Sequence, residues 1–341
     1  MYSNELKISK LFIYWLSISL ILVFLIIIIG GLTRLTNSGL SITEWELFKG
    51  IIPPLNENAW DFYFEEYKKI PQYKLLNFNM TIDEFKIIFF WEYIHRIFAR
   101  FIGLFFLVPL IYFYFSKMIK SEYMNICYII LTLIILQGLI GWYMVKSGLV
   151  NDITVSHYRL SLHLITAFLI ISTIFWLIRN VTLQKNKSFF KITNISFPFQ
   201  IFIYLIFLQI ILGAFVSGLD AGQIYQTWPL MGNTYTPNDF LFEKFNDIID
   251  FSNQSLVQFY HRKLAYIIFL YFLFLIFFIY KKKLFYLSYP LKILSFFLIL
   301  QILLGIFTLV SGLNIYLASM HQIISVLLVI SALNLHFLST K

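Results

Sequence analysis

Charged residues are scarce in this sequence. Only 13% of its 341 residues are Asp, Glu, Lys or Arg, while 60% are hydrophobic. A soluble domain of this length could not cover its surface with so few polar side chains, so the composition excludes a soluble globular protein. Cysteine is almost absent as well. The single Cys127 excludes an intramolecular disulfide and a cysteine-based metal site.

The hydrophobic residues lie in eight runs, each long enough to cross a hydrocarbon core of about 30 Å. They predict an all-α integral membrane protein with eight transmembrane helices. The first run is itself long enough to span, so we expect no cleavable signal peptide. The predicted spans lie near residues 11–33, 86–115, 124–145, 158–178, 197–217, 256–280, 289–311 and 315–338.

The net charge of +9 does not indicate nucleic-acid binding, because the charges lie in short clusters between the apolar runs. Nearly all of the basic clusters fall on one side of the eight-span arrangement. Two long loops, 34–85 and 218–255, fall on the other side, and the second of them is acidic. The positive-inside rule therefore predicts that both termini are cytoplasmic.

The two halves of the chain repeat each other. Spans 2 and 6 each begin with a His-Arg pair, and spans 4 and 8 each begin with Tyr-x-x-Ser-x-His. This repeat predicts two pseudo-symmetric four-helix bundles, one in residues 1–180 with loop 34–85 and one in residues 181–341 with loop 218–255. Spans 3, 5 and 7 also share Gln-x-x-x-Gly, in the pairs Gln137/Gly141, Gln209/Gly213 and Gln301/Gly305.

Four histidines occupy matching places near the start of the even-numbered spans, which all run in the same direction. We expect His95 to face His163 and His261 to face His321, all at one depth. Paired histidines that project inward from facing helices are the usual axial ligands of haem iron in a bundle. Each glycine of Gln-x-x-x-Gly is expected to make room for the flat macrocycle. The propionate-binding candidates are Arg96, Arg100, Arg159 and Arg262.

Other interpretations of these residues are weighed as well. A single transmembrane histidine is more often a satisfied core residue, and the arginines suit interfacial anchors equally well. His157 and His336 have no such pairing and are expected to be structural. Asp220, in a glycine-rich turn, suits a turn residue as well as a functional one.

One difference separates the two halves. Glu92 lies three residues before His95, whereas Gln258 occupies the matching place before His261. The two side chains have the same length, but only a glutamate can carry charge or exchange a proton. We therefore predict chemistry at the first site, with Glu92 as the catalytic residue, and a resident cofactor at the second. The alternative is that Glu92 only pairs with an arginine.

These motifs resemble the haem A synthase family, in its mitochondrial and related bacterial branch. The resemblance runs from the first span to the last. It rests on the paired later histidines and on three segments: Glu-x-x-His-Arg, Thr-Arg-Leu-Thr-x-Ser-Gly-Leu-Ser from Thr33, and Gly-Leu-Asp-Ala-Gly-x-x-Tyr-x-Thr-Trp-Pro-Leu-Met from Gly218. Gln226 departs from the Asn that the family pattern leads us to expect. Cys127 cannot supply the outer-loop cysteine pair of the Gram-positive branch.

The resemblance implies oxidation of the C8 methyl group of haem O to a formyl group, giving haem A for cytochrome c oxidase. The substrate haem O would lie between His95 and His163, and the cofactor haem b between His261 and His321. The resemblance also implies a functional link to the protohaem farnesyltransferase that makes haem O, and to an electron donor. The expected location is a bacterial inner membrane, or the mitochondrial inner membrane if the source is eukaryotic. The sequence leaves a homo-oligomer open.

Two other classes compete with this interpretation. A di-haem b electron-transfer protein would normally place its haems at different depths, whereas all four histidines here are expected at one depth. A secondary transporter would also show repeats, but it is expected to break a span near the midplane, and no span is interrupted in that way.

Overall fold

The computed structural model describes residues 2–44, 49–151, 154–239 and 248–340. Within these residues we number ten α-helices in chain order. They are α1 (Tyr2–Leu35), α2 (Glu57–Lys68), α3 (Pro71–Leu76), α4 (Ile82–Ser116), α5 (Ser121–Asn151), α6 (His157–Thr182), α7 (Phe197–Gly218), α8 (Gln254–Lys281), α9 (Ser288–Val310) and α10 (Ile315–Ser339).

Eight of these helices, all except α2 and α3, are long and apolar enough to cross a membrane, as predicted. In the described parts of the chain the remaining regular structure is short 3₁₀ turns and one isolated bridge between Met231 and Thr234. The all-α membrane fold is therefore confirmed. The segment between α1 and α4 is called loop A below, and the segment between α7 and α8 is called loop B. Residues 45–48 of loop A and 240–247 of loop B lie outside the described residues.

The helix starts follow from local sequence. Thr81 and Glu84 form a capping box at α4, in which the Thr81 side chain accepts from the Glu84 amide and the Glu84 side chain accepts from the Thr81 amide. Asn253 and Asn314 cap α8 and α10 through their side-chain oxygens. These caps set the start of the helices that carry His95, His261 and His321.

Contacts divide the chain into two compact units, residues 1–171 and 172–341. The division falls inside α6, whose end lies close to the predicted bundle boundary at residue 180. In the first unit α4 packs on α1 and α5. In the second unit α7 packs on α8 and α10, and α9 packs on α10.

Loop A is folded against α4. Its helix α2 buries Phe64 and Tyr67 against Phe85 and Phe89 of α4. The Tyr67 hydroxyl donates to Gln72 (3.0 Å) and accepts from Asn77 (2.7 Å). Helix α5 continues to Asn151, beyond the predicted end near residue 145, because Val145 and Leu149 pack against the same cluster.

His336 is packed in the core, which agrees with the structural role expected of it. Its side chain is fully buried between Trp176 and Phe189, and its Nε2 lies 3.2 Å from the Phe189 carbonyl oxygen.

Candidate functional site

Each of the four predicted ligand histidines rests on a glycine of a neighbouring helix. A Cβ added to Gly30 would lie 3.0 Å from Cε1 of His95, and one added to Gly141 would lie 3.0 Å from Cε1 of His163. The corresponding distance is 3.1 Å from Gly213 to His261 and 3.0 Å from Gly305 to His321. The same close packing thus recurs twice in each unit.

The three Gln-x-x-x-Gly glycines each have an imidazole edge directly above the Cα. That they also make room for a macrocycle stays a prediction. A side chain at these positions would force the ring to move, so the glycines fix where each imidazole lies.

In the first unit the two rings come together. The centroids of His95 and His163 lie 6.4 Å apart, with ring planes inclined by 61°. Nδ1 of each ring is buried and has no hydrogen-bond partner within the described part of the chain. The predicted pairing of these two histidines across the unit is present.

In the second unit the glutamines of Gln-x-x-x-Gly approach the rings of His261 and His321. The Gln209 side-chain nitrogen lies 3.4 Å from His261 Nε2 and donates to the His261 carbonyl at 3.0 Å. The Gln301 side-chain nitrogen lies 3.2 Å from His321 Nε2.

Glu92 is buried, with 2% of its surface exposed, and both carboxylate oxygens are hydrogen-bonded. Oε1 accepts from Arg96 Nη2 at 2.6 Å and from its Nε at 3.1 Å. Oε2 accepts from the Ser41 hydroxyl at 2.7 Å and from the Ile42 amide at 2.9 Å. Arg96 also donates to the Ile42 carbonyl at 3.0 Å. The ion pair therefore binds Ile42 of loop A at both its N–H and its C=O.

The matching residues of the second unit bind loop B without an ion pair. Gln258 donates to the Tyr225 carbonyl at 3.0 Å, and Arg262 donates to the same oxygen at 2.7 Å. Arg262 also donates to the carbonyls of Thr227 (2.8 Å) and Leu230 (3.2 Å). Both units thus use the residue three before the histidine and the arginine after it to hold a loop.

The two remaining propionate candidates also have protein partners. Arg100 donates to the Gly50 carbonyl at 3.4 Å. Arg159 donates to the Ser147 hydroxyl at 2.5 Å and lies over the Tyr143 ring. Asp220 adopts a left-handed φ of 51° at the start of the 3₁₀ turn Ala221–Gln223, a turn position of the kind expected for it.

Comparison with known proteins places this arrangement in a family. The family described as cytochrome oxidase assembly protein matches residues 13–333. A haem A synthase of Pelagibacter ubique is 51% identical over 338 residues, which cover 96% of this chain and 95% of that protein. A haem A synthase of Rickettsia africae is 42% identical, covering 92% of this chain and 94% of that protein. The chain belongs to the haem A synthase family. A further haem A synthase, from Rickettsia canadensis, is 41% identical over 92% of this chain and 93% of its own length.

Membership of the haem A synthase family raises the question of whether the residues present fit a haem. The ring centroids of His95 and His163 lie 6.4 Å apart, a separation at which both imidazoles could bind one iron ion between them. The described residues contain no cluster of three or more His, Cys, Asp or Glu side chains. Two histidines per unit suit haem iron, because the porphyrin supplies the other four ligands. The residues fit the group.

Some residues of the site in this haem A synthase family member were not anticipated from sequence. The contact of Gly30 with His95 was not predicted, because span 1 has Ile26 where the other odd-numbered spans have Gln. Span 1 therefore does not match the Gln-x-x-x-Gly pattern. Ser41 and Ile42 hold Glu92 from across loop A. Ser41 is the last residue of the motif that begins at Thr33. That motif was the only feature of the sequence that pointed to Ser41.

Proposed function

We propose that this protein converts haem O to haem A by oxidising the C8 methyl group to a formyl group. The observation that carries the proposal is the fourfold packing of a histidine ring edge on a glycine, two histidines to a unit, in a member of the haem A synthase family. Four imidazoles fixed in this way are suited to hold two haems, one in each unit.

The substrate haem O is assigned to His95 and His163, and the resident haem b to His261 and His321. The difference between Glu92 and Gln258 supports this division. Glu92 brings an ionisable group one helical turn from His95, whereas the second unit has a neutral amide at the matching place. A site that oxidises its ligand needs groups that respond to charge and protons, and a site that only retains its haem does not.

Glu92 is proposed as the catalytic residue of the first unit. Converting a methyl group to a formyl group takes two successive two-electron oxidations of one carbon and breaks C–H bonds beside the porphyrin edge; O2 or water supplies the oxygen atom, and a separate redox partner completes the electron balance. A carboxylate close to that edge can accept a proton or stabilise positive charge. Arg96 and the two donors of loop A offset the cost of burying the Glu92 carboxylate. When bound, haem b supplies one-electron redox chemistry through its iron.

The four arginines keep a proposed role near the propionates. Each also has protein partners. Arg96 and Arg262 hold a loop through backbone carbonyls, Arg100 donates to the Gly50 carbonyl, and Arg159 donates to the Ser147 hydroxyl.

The cellular setting follows from the same proposal. The protein is placed in a bacterial-type inner membrane with both termini in the cytoplasm, in agreement with the positive charge between its spans. It would receive haem O from the protohaem farnesyltransferase and reducing equivalents or oxidant from a separate redox partner. Its product would serve cytochrome c oxidase.

Expression in a host that makes haem O but lacks its own haem A synthase tests the proposal. Haem A should appear in membranes that carry the protein and should be missing when His95→Ala replaces it. If haem A is missing with the wild-type chain while the purified protein carries two haem b, the di-haem electron carrier is the correct function.

A further inference from the structure

Four hydrogen bonds reach the Glu92 carboxylate, and their donors differ in how they can respond to a proton. Arg96 gives two N–H groups to Oε1, and the Ile42 amide gives one to Oε2. The fourth donor is the Ser41 hydroxyl, 2.7 Å from Oε2. Each carboxylate oxygen has two lone pairs, so the four donors occupy every place at which the carboxylate accepts. Glu92 can therefore take up a proton only where one of these donors turns away.

Of the four donors, the Ser41 hydroxyl is the one that can turn. The N–H groups of Arg96 and Ile42 carry no lone pair, so they cannot accept a hydrogen bond from a protonated carboxyl group, whereas a hydroxyl both donates and accepts. A second acceptor for the Ser41 hydroxyl is already in place, because its Oγ lies 3.3 Å from the Ile88 carbonyl oxygen. That carbonyl has two lone pairs, so it can accept from Ser41 in addition to its helix partner.

The two states of Glu92 then have matching hydrogen bonds. While Glu92 is charged, Ser41 donates to Oε2, and this bond is shorter than the approach to Ile88, as expected for a charged acceptor. When Oε2 carries a proton, it donates to Ser41 Oγ, and the serine O–H donates to the Ile88 carbonyl. The serine keeps its own proton in both states, and the carboxyl group becomes neutral.

The second unit has no corresponding arrangement at the matching place. Gln258 does not titrate, and its side-chain nitrogen donates to the Tyr225 carbonyl, which can only accept. A hydroxyl that changes between donor and acceptor has a purpose only beside a group that changes its protonation state.

We propose that Ser41 is a positioning residue that lets Glu92 take up and return a proton while loop A stays bound. Ser41 is only 1% exposed, and leaving a buried polar group without a partner is costly. A partner that serves both states lowers the cost of passing between them. The inference rests on the proposed function, because it takes Glu92 as a proton acceptor in the oxidation of haem O.

The experiment uses the full-length protein in a host that makes haem O but lacks its own haem A synthase. Ser41→Ala removes the hydroxyl, while the other three donors still hold loop A. Thr33→Val is the matched control, because the Thr33 hydroxyl is also buried but its partners are the neutral carbonyls of Ile29 and Trp91. The rate of haem A formation per molecule of protein and the affinity for haem O, from spectral titration of the purified protein, are measured separately.

A double variant shows whether Ser41 acts through the carboxylate. We expect Ser41→Ala to form haem A about tenfold more slowly, the low end for losing a hydrogen bond to a charged group, with unchanged haem O affinity. Thr33→Val should keep the wild-type rate. In a Glu92→Gln background, Ser41→Ala should slow the reaction no further, because the two residues act on the same proton.

A wild-type rate in Ser41→Ala, or an equal loss in both backgrounds, would overturn the inference. If Ser41→Ala no longer binds haem O, Ser41→Cys decides the matter, because a thiol fills a similar space but donates and accepts only weakly. Its rate should also fall while haem O stays bound, and a wild-type rate would overturn the inference. A wild-type chain that makes no haem A would refute the proposed function, and the inference with it.

Discussion

Glu92 and Arg96 form a buried ion pair, with 2.6 Å between Oε1 and Nη2, and together they hold Ile42 of loop A by its N–H and its C=O. Their side chains are only 3% and 11% exposed. One turn away, His95 rests on Gly30. The ion pair therefore fixes loop A next to a proposed haem ligand, and it keeps a charged carboxylate where the second unit has an amide.

Replacing Glu92 by glutamine should impair the oxidation of haem O without impairing its binding. We expect Glu92→Gln to retain haem O between His95 and His163 while haem A production falls by at least about tenfold, the scale of losing a catalytic acid–base group when water partly replaces it. Haem extracted from a host without its own synthase gives both quantities. The reverse change, Gln258→Glu, should keep most of the activity, because Arg262 can pair with the new carboxylate. Haem A made at the normal rate by Glu92→Gln would show that the carboxylate is structural.

Removing the arginine that holds each loop should lower the free energy of unfolding by different amounts in the two units. Arg96→Leu leaves the Glu92 charge buried and unpaired, which costs about 3–5 kcal/mol. Arg262→Leu leaves only neutral groups unsatisfied, which costs about 1–3 kcal/mol. Thermal unfolding of the two purified variants in one detergent compares these losses.

A double variant provides the control for that comparison. Glu92→Gln combined with Arg96→Leu should recover part of the stability lost in Arg96→Leu, because the charge has gone. Equal losses in Arg96→Leu and Arg262→Leu, with no recovery in the double variant, would mean that the Glu92 charge is not what Arg96 balances.

The glycines under the histidines offer a matched pair within one helix. A Cβ at Gly141 would meet His163 at 3.0 Å, whereas a Cβ at Gly138 would meet nothing within 4 Å. We expect Gly141→Ala to weaken haem O binding roughly 3- to 10-fold, because a ring displaced from its rotamer costs about 0.5–1.5 kcal/mol. Gly138→Ala should leave binding unchanged and stabilise the helix slightly. The affinity is measured by spectral titration with haem O; similar binding by both variants would show that the glycine contact does not set the ring position.

The predicted cofactor ligands can be tested one at a time. His261→Ala and His321→Ala should each lose the stably bound haem b while the protein still enters the membrane, because one axial ligand has been removed. His157→Ala, outside the proposed ligand set, serves as the control and should keep its haem. Normal haem b content in both ligand variants, measured on purified protein, would refute the ligand assignment.

The buried tyrosine of loop A predicts a response to alkaline pH. Burial is the main cause that raises the pKa of Tyr67 to about 12 from its ordinary 10.0. The neutral phenol holds Gln72 and Asn77, so its contribution to stability is fully present below pH 10 and is lost as the pH rises through the folded-state pKa. The stability of the loop A helices should therefore fall above about pH 10 in the wild type, and this fall should be absent in Tyr67→Phe. Limited proteolysis of loop A over the range of about pH 8–11, with a flexible peptide substrate to correct for the activity of the protease itself, measures it. Equal pH dependence of the corrected cleavage rate in the two proteins would contradict the role of Tyr67.

The eight spans were predictable because their apolar length is a local property of the chain, and the four histidines because the two halves repeat. The contact of Glu92 with Ile42 was not predictable, because it joins residues 50 positions apart and depends on how loop A folds over α4. Gly30 was missed for a similar reason. Its role depends on the register between α1 and α4, and the Gln that marks the other glycines is replaced by Ile26.

Chromatography of the haems extracted from the purified protein tests the central claim most directly. The proposed division of the two units predicts haem b together with haem O, haem A or an intermediate between them. His261→Ala should lose haem b alone, and His95→Ala should lose the other haem alone. Two equivalents of haem b, or no haem at all, would contradict the assignment of one unit to substrate and the other to cofactor.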